Sequence, residues 1–219
     1  MSAPGGEVQA RPGTVASDVA AEFPDLRLLT VTASAAPGRS PPELRQQMKD
    51  LSDRFRGSHA VVMRQAPIPH AYRVFYRQVG LDPDADRTPV EGAAVERLLR
   101  GAYKSRNLLD DALTISLVET GVPVWALDAT RVEGELGIRL AGGGEHLGRG
   151  EHAPPVPPGR IVVSDGRTPL AVLFGELAPG HGVAPETRRI MLFSVGVPGV
   201  PSIHVEEALW LSMSILGAA

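Results

Sequence analysis

The chain has 219 residues, 43% of them hydrophobic and 21% charged, with a formal net charge of −3 at pH 7 and no cysteine. A chain of this length and composition can bury a sizeable core without covalent staples, and the missing cysteines exclude disulfides, thiolate catalysis and Cys-ligated zinc. No apolar run approaches the roughly 18 residues of a membrane span. The opening residues lack a basic segment followed by an apolar one, so a cytoplasmic protein without a signal peptide is expected.

Residues 1–17 are rich in Gly, Pro and Ala. They are expected to be disordered, with a single domain over 18–219. A short helical turn over Val19–Phe23 stops at Pro24, and Leu26–Ala33 reads as a strand. A first long helix starts near Pro41 or Pro42 and runs to about Arg56, with Leu44, Met48, Leu51 and Phe55 on one face. A second spans Pro69–Val79, with Ala71, Val74, Phe75 and Gln78 on its inner face and Gly80 after it. Thr88, Pro89 and Glu91 form a capping-box start for a helix reaching about Gly101 and burying Val95, Leu98 and Leu99. Another helix covers Leu108–Thr120 and stops at Gly121.

Beyond Gly121 the pattern turns to strands, at Val122–Leu127, Leu136–Leu140, Arg160–Ser164, Pro169–Gly175 and Arg189–Val195. Glu145–Pro158 reads as a flexible surface loop. A last helix spans Val205–Leu216, capped by Ser202. Helices first, then mostly strands, then a helix point to an α+β fold rather than a βαβ repeat.

Charge is uneven along the chain. Residues 44–106 hold 12 Lys and Arg against 7 Asp and Glu, while residues 107–219 hold 7 against 13. A basic face carrying Arg54, Arg56, Arg73, Arg77, Arg97, Arg100, Lys104 and Arg106 is a candidate for RNA phosphate. No G-x-S-x-G, phosphate-binding G-x-x-x-x-G-K-[ST] or H-E-x-x-H motif is present. His146 and His152 lack a clustered third ligand, so neither a metal nor a cofactor is expected. Asp110 and Asp111 fit the first turn of a helix, where carboxylates are favoured.

Several short motifs fall in one order. Asn107, Asp111, Glu119, Gly121, Pro123, Ala126 and Asp128 come first, then Gly137–Ala141 and Gly144–Leu147, then Asp165 with Pro169–Val172, and last Thr187–Leu192. This series resembles the B3/B4 domain of the phenylalanyl-tRNA synthetase beta subunit, here standing alone, and the likeness extends from about residue 20 to the end. The resemblance implies a layered β-sheet core flanked by helices. It implies binding of tRNA or aminoacyl-tRNA and hydrolysis of a mischarged aminoacyl ester in trans, by placement and electrostatics. The family's pocket His falls on Trp125, its Asn on Thr114 and its Glu near Phe193, and its glycine-rich loop is reduced to Phe174, Gly175 and Glu176. Thr114 and Glu176 are then the candidate catalytic groups. Leu113, Trp125, Ala126, Phe174, Gly175 and Phe193 are the candidate pocket. Two other readings stand beside this one, a non-catalytic RNA-binding module and a binder of a small ligand such as an amino acid or a nucleoside.

Overall fold

The computed structural model describes residues 10–55 and 62–217. They form an α+β fold with two four-stranded sheets. The first sheet runs β1 (Arg11–Pro12), β3 (Arg27–Ser34), β8 (Arg189–Gly196) and β4 (Val124–Asp128), antiparallel throughout. The second runs β2 (Thr14–Val15), β5 (Gly137–Leu140), β6 (Ile161–Ser164) and β7 (Pro169–Val172), parallel only at β2–β5. Helices α1 (Ser17–Glu22), α2 (Pro42–Arg54), α3 (Pro67–Gln78), α4 (Pro89–Arg100), α5 (Leu108–Thr120) and α6 (Ser202–Gly217) complete the layers. No helix among the described residues is long and apolar enough to cross a membrane.

The N-terminal expectation needs correcting. Residues 1–9 lie outside the described residues, but residues 10–17 are structured and join the two sheets. β1 edges the first sheet at Arg11 and Pro12, a position open to proline because an edge strand leaves one side unpaired. The chain then passes to the second sheet through Gly13. A Cβ there would lie 2.6 Å from both the Leu136 carbonyl and Leu28 Cδ2, so only glycine fits.

Strand alternation sorts the first sheet's side chains onto two faces. Gly196 lies on one face, where a Cβ would meet Val205 of α6 at 3.0 Å. Val31, Ala126 and Leu192 share that face by register and are buried. α5 packs on α6 there, and Ser116 Oγ donates to the Ala208 carbonyl at 2.8 Å. Leu28, Trp125, Phe193 and Val195 lie on the other face. An aromatic cluster fills the space beyond it. Trp125 stacks on Phe193 at 5.5 Å, Phe174 meets Trp125 at 5.9 Å, and Tyr76 stacks on Phe174 at 5.0 Å. Tyr72 and Phe75 meet Phe174 edge-on, and Tyr72 donates its hydroxyl to the Val195 carbonyl at 2.7 Å.

Four local expectations are corrected. α4 buries Val90, Glu91 and Ala94, while Leu98 and Leu99 are 46% and 82% exposed. α3 turns Tyr72, Phe75 and Tyr76 inward and leaves Val74 40% exposed. Residues 145–158 are no free loop: Leu147 and Val156 join the core, and His146 bridges Pro155. The strand expected to reach Gly175 ends at Val172, because Phe174 adopts a left-handed φ of 58° and the Gly175 amide donates to the Val172 carbonyl.

Candidate functional site

The residues expected to form a hydrolytic pocket are only partly brought together. Trp125, Phe174 and Phe193 meet, but as mutually packed rings rather than as walls of a space, with Phe193 only 2% exposed. Ala126 points to the opposite face of the sheet, and Leu113 is half-buried against the core. Thr114 lies on α5, on the α6 side of the sheet, and its hydroxyl donates to the Asp110 carbonyl at 2.7 Å. This is the usual bond of a threonine inside a helix. It leaves the hydroxyl proton committed, across the sheet from Trp125. Gly175 and Glu176 are exposed on the turn that follows Phe174.

The cations expected to meet phosphate are largely engaged within the chain. Arg73 is buried and bridges Glu91 at 2.6 Å and Asp84 at 2.7 Å. Arg64 joins the same two carboxylates, each at 2.8 Å. Glu91 also accepts from the Thr88 amide and hydroxyl, so the predicted cap and the ion cluster are one structure. Arg77 lies 3.7 Å from Asp84. Arg97 donates to the Ser52 carbonyl at 2.8 Å. Arg100 and Arg106 share Glu96 at 3.1 and 2.6 Å, and Arg54 pairs with Glu119. Lys104 has no such partner among the described residues. Arg56 lies outside them.

Asp111 does more than complement a helix terminus. It is 1% exposed and accepts from Ser40 Oγ and Ser105 Oγ, both at 2.5 Å, and from the Arg106 amide at 2.9 Å. It ties the connectors before α2 and before α5 to the start of α5.

Two further carboxylates anchor loops beyond β4. Asp128 accepts from the Thr130 amide and hydroxyl and from Thr187 Oγ1 at 2.8 Å. Burial alone would raise its pKa, but the Thr130 and Thr187 hydrogen bonds outweigh it and hold it below the ordinary range. Asp165, its side chain fully buried, accepts from the Glu133 amide at 2.8 Å and pairs with Arg149. There too burial is outweighed by the Glu133 amide and the Arg149 guanidinium, and the pKa is lowered. Arg149 reaches the Arg131 carbonyl at 3.1 Å and lies 3.4 Å from Nε2 of the buried His181. Every polar group of this network has a partner, which is the state of a structural anchor. Among the described residues no group of three or more His, Asp or Glu is placed to hold a metal ion.

An open cleft of about 460 Å³ lies elsewhere, and no expected site residue lines it. The ends of two helices form one wall, with Glu22 and Phe23 from α1 and Gln78, Val79 and Leu81 from the end of α3. Leu140, Ile161 and Leu173 supply its floor from the second sheet. The Pro157–Arg160 turn completes the lining. Phe23, Ile161 and Leu173 are buried, whereas Leu140 is 38% exposed. Glu22 and Arg160 bring opposite charges to this cleft. Among the described residues neither side chain makes a hydrogen bond or an ion pair.

Five separate segments build the cleft, and none of them carries a local motif. The one available signal was Glu22 at the C-terminal end of a short helix, where a carboxylate is disfavoured. A comparison with protein-family models and with curated proteins finds no match to the chain.

Proposed function

We propose that this protein binds a small organic molecule in the cleft between α1, α3 and the second sheet. One observation carries the reading: a concavity of about 460 Å³, polar over much of its lining and apolar at Leu140, holds two charged side chains without partners among the described residues. Small-molecule sites are typically concavities of about 300–1,000 Å³ fitted with a few polar groups that fix orientation. Arg73, Arg139 and Arg149, by contrast, are engaged with carboxylates of the chain. The test is a titration of the isotope-labelled chain with amino acids, nucleosides, simple carboxylates and simple amines. Saturable shifts confined to amides of Leu81, Gly159 and Ile161 and their neighbours are expected; a panel that shifts none of them overturns the reading.

A second reading follows the resemblance to the synthetase editing domain, and the meeting of Trp125, Phe174 and Phe193 favours it. On that reading the aromatic cluster opens to admit an aminoacyl group, tRNA is the partner, and hydrolysis proceeds in trans. Its test is release of free amino acid from a panel of correct and mischarged aminoacyl-tRNAs. Release lowered by Glu176→Ala supports it. No release over buffer alone, with no binding of tRNA at low salt, removes it.

A further inference from the structure

We infer that the cleft takes a zwitterion, a molecule with an apolar body whose ammonium group lies toward α1 and α3 and whose carboxylate lies toward Arg160. The inference rests on the small-ligand reading above and names the chemical class of the occupant.

The negative end has two sources. α1 ends at Glu22 and α3 ends at Gln78, and both ends line the same wall. The last carbonyls of a helix carry partial negative charge. Glu22 adds a full one at a place where a carboxylate weakens the helix that bears it. No cation of the chain answers it among the described residues. A ligand ammonium would.

The positive end is held by backbone. The Arg160 amide donates to the Pro157 carbonyl at 3.2 Å, and the Gly159 amide to the Ala141 carbonyl at 2.8 Å. Gly159 takes a φ of 78°, which a side chain would resist. Pro157 and Pro158 stiffen the approach. The turn therefore presents Arg160 from a fixed base, and a guanidinium is suited to grip a carboxylate through two parallel hydrogen bonds.

The apolar body has a place beside the two charges. Leu140 keeps 38% of its surface exposed beside buried Ile161 and Leu173. A ligand bearing only one of the two charges leaves Glu22 or Arg160 without its charge-assisted hydrogen bond. This gives the cleft a reason to prefer both charges on one molecule.

The test uses the full chain and three ligands with one branched apolar body: leucine, isocaproate with the carboxylate alone, and isoamylamine with the ammonium alone. Titrations are followed at the amides of Leu81, Gly159 and Ile161. Leucine is expected to bind at least about tenfold more tightly than either analogue, as the loss of one charge-assisted pair implies. Arg160→Gln brings leucine to the level of isoamylamine, and Glu22→Gln brings it to the level of isocaproate. Arg160→Lys restores part of the loss. Equal affinity for all three ligands, or tighter binding of an uncharged nucleoside at the same amides, overturns the zwitterion and leaves the small-ligand reading standing. No shift of these amides by any compound, charged or neutral, overturns both.

Discussion

Two regions of this molecule bring acidic and basic side chains together, and they do so to opposite ends. Between α3 and α4, Arg64, Arg73, Asp84 and Glu91 close on one another, with Arg73 and Glu91 side chains only 9% and 6% exposed. Around the cleft, Glu22 and Arg160 remain without partners among the described residues. Charge that is buried must be answered within the fold, because desolvation of an unpaired ion is too costly. Charge left unanswered at a concave surface is available to something else. The difference teaches which cations to set aside when a sequence is rich in arginine.

The largest expected effect breaks the closed cluster. Arg73→Ala leaves Glu91 buried with a half-exposed Arg64 as its remaining cation. We expect a loss of about 3 kcal/mol in urea unfolding. Replacing both partners, Arg73→Met with Glu91→Leu, should recover much of it, because no buried charge is then abandoned. If Arg73→Ala costs nothing measurable, the cluster is not a structural unit and Arg73 returns to the pool of groups free to meet phosphate.

A comparable loss is expected at Asp165, with a pH signature. Asp165→Asn removes the carboxylate that holds Arg149 and the Glu133 and Thr168 amides. Hydrogen bonds to a charged group contribute about 1.5–3 kcal/mol, so a loss near 2 kcal/mol is expected at neutral pH. The folded pKa of Asp165 is lowered. Its contribution is therefore complete above the unfolded Asp value of about 4 and is lost as pH falls through the lower folded value. Glu145, held low by Arg139 and the Gly142 amide despite partial burial, acts in the same direction. Parent and variant should accordingly converge in stability below about pH 4. A gap that widens there contradicts the assignment.

Much of the fold was legible because its signals are local. Thr88, Pro89 and Glu91 mark the start of α4, and Gly121, with a φ of 75°, ends α5 where the pattern placed it. Leu44, Met48 and Leu51 fix the buried face of α2. The misses have non-local causes. Composition alone makes residues 10–15 look unstructured, yet Gly13 is needed where the chain passes beneath Leu28. Leu98 shares the stripe of Glu91 and Ala94 by spacing, but it lies with Leu99 at the exposed end of α4, beyond the part that the fold covers. Phe174 ends β7 early through a backbone conformation that its side chain does not announce. Arg73 reads as one more surface cation until Asp84 and Glu91 are seen beside it. The cleft is drawn from five segments, and no window of sequence contains it.

A smaller effect of opposite sign is expected beside α2. Tyr103 is 7% exposed, and its hydroxyl is without a hydrogen-bond partner among the described residues. Burial pushes its pKa up to about 12, so the group stays neutral throughout the physiological range. Tyr103→Phe keeps the edge-on contact with Phe55 at 6.0 Å and removes a buried, unsatisfied oxygen. A gain of about 1 kcal/mol is expected in thermal or urea unfolding. A loss of similar size would show that the hydroxyl has a partner after all.

The smallest expected effect is the one that separates the two regions most cleanly. Arg160→Gln and Glu22→Gln should each leave stability within about 0.5 kcal/mol of the parent, as surface substitutions without partners do. Glu22→Gln should lean toward stabilisation, since it relieves a carboxylate at the end of α1. Residues whose removal costs the fold nothing, yet which sit opposite in charge on the wall of a concavity, are not explained by folding. If either substitution instead cost more than about 1 kcal/mol, that side chain would belong with Arg73 and Glu91 as part of the frame. The cleft would then be a gap between packed elements rather than a place kept for a ligand. Unchanged stability with altered ligand binding assigns the two charges to recognition, and only that combination does.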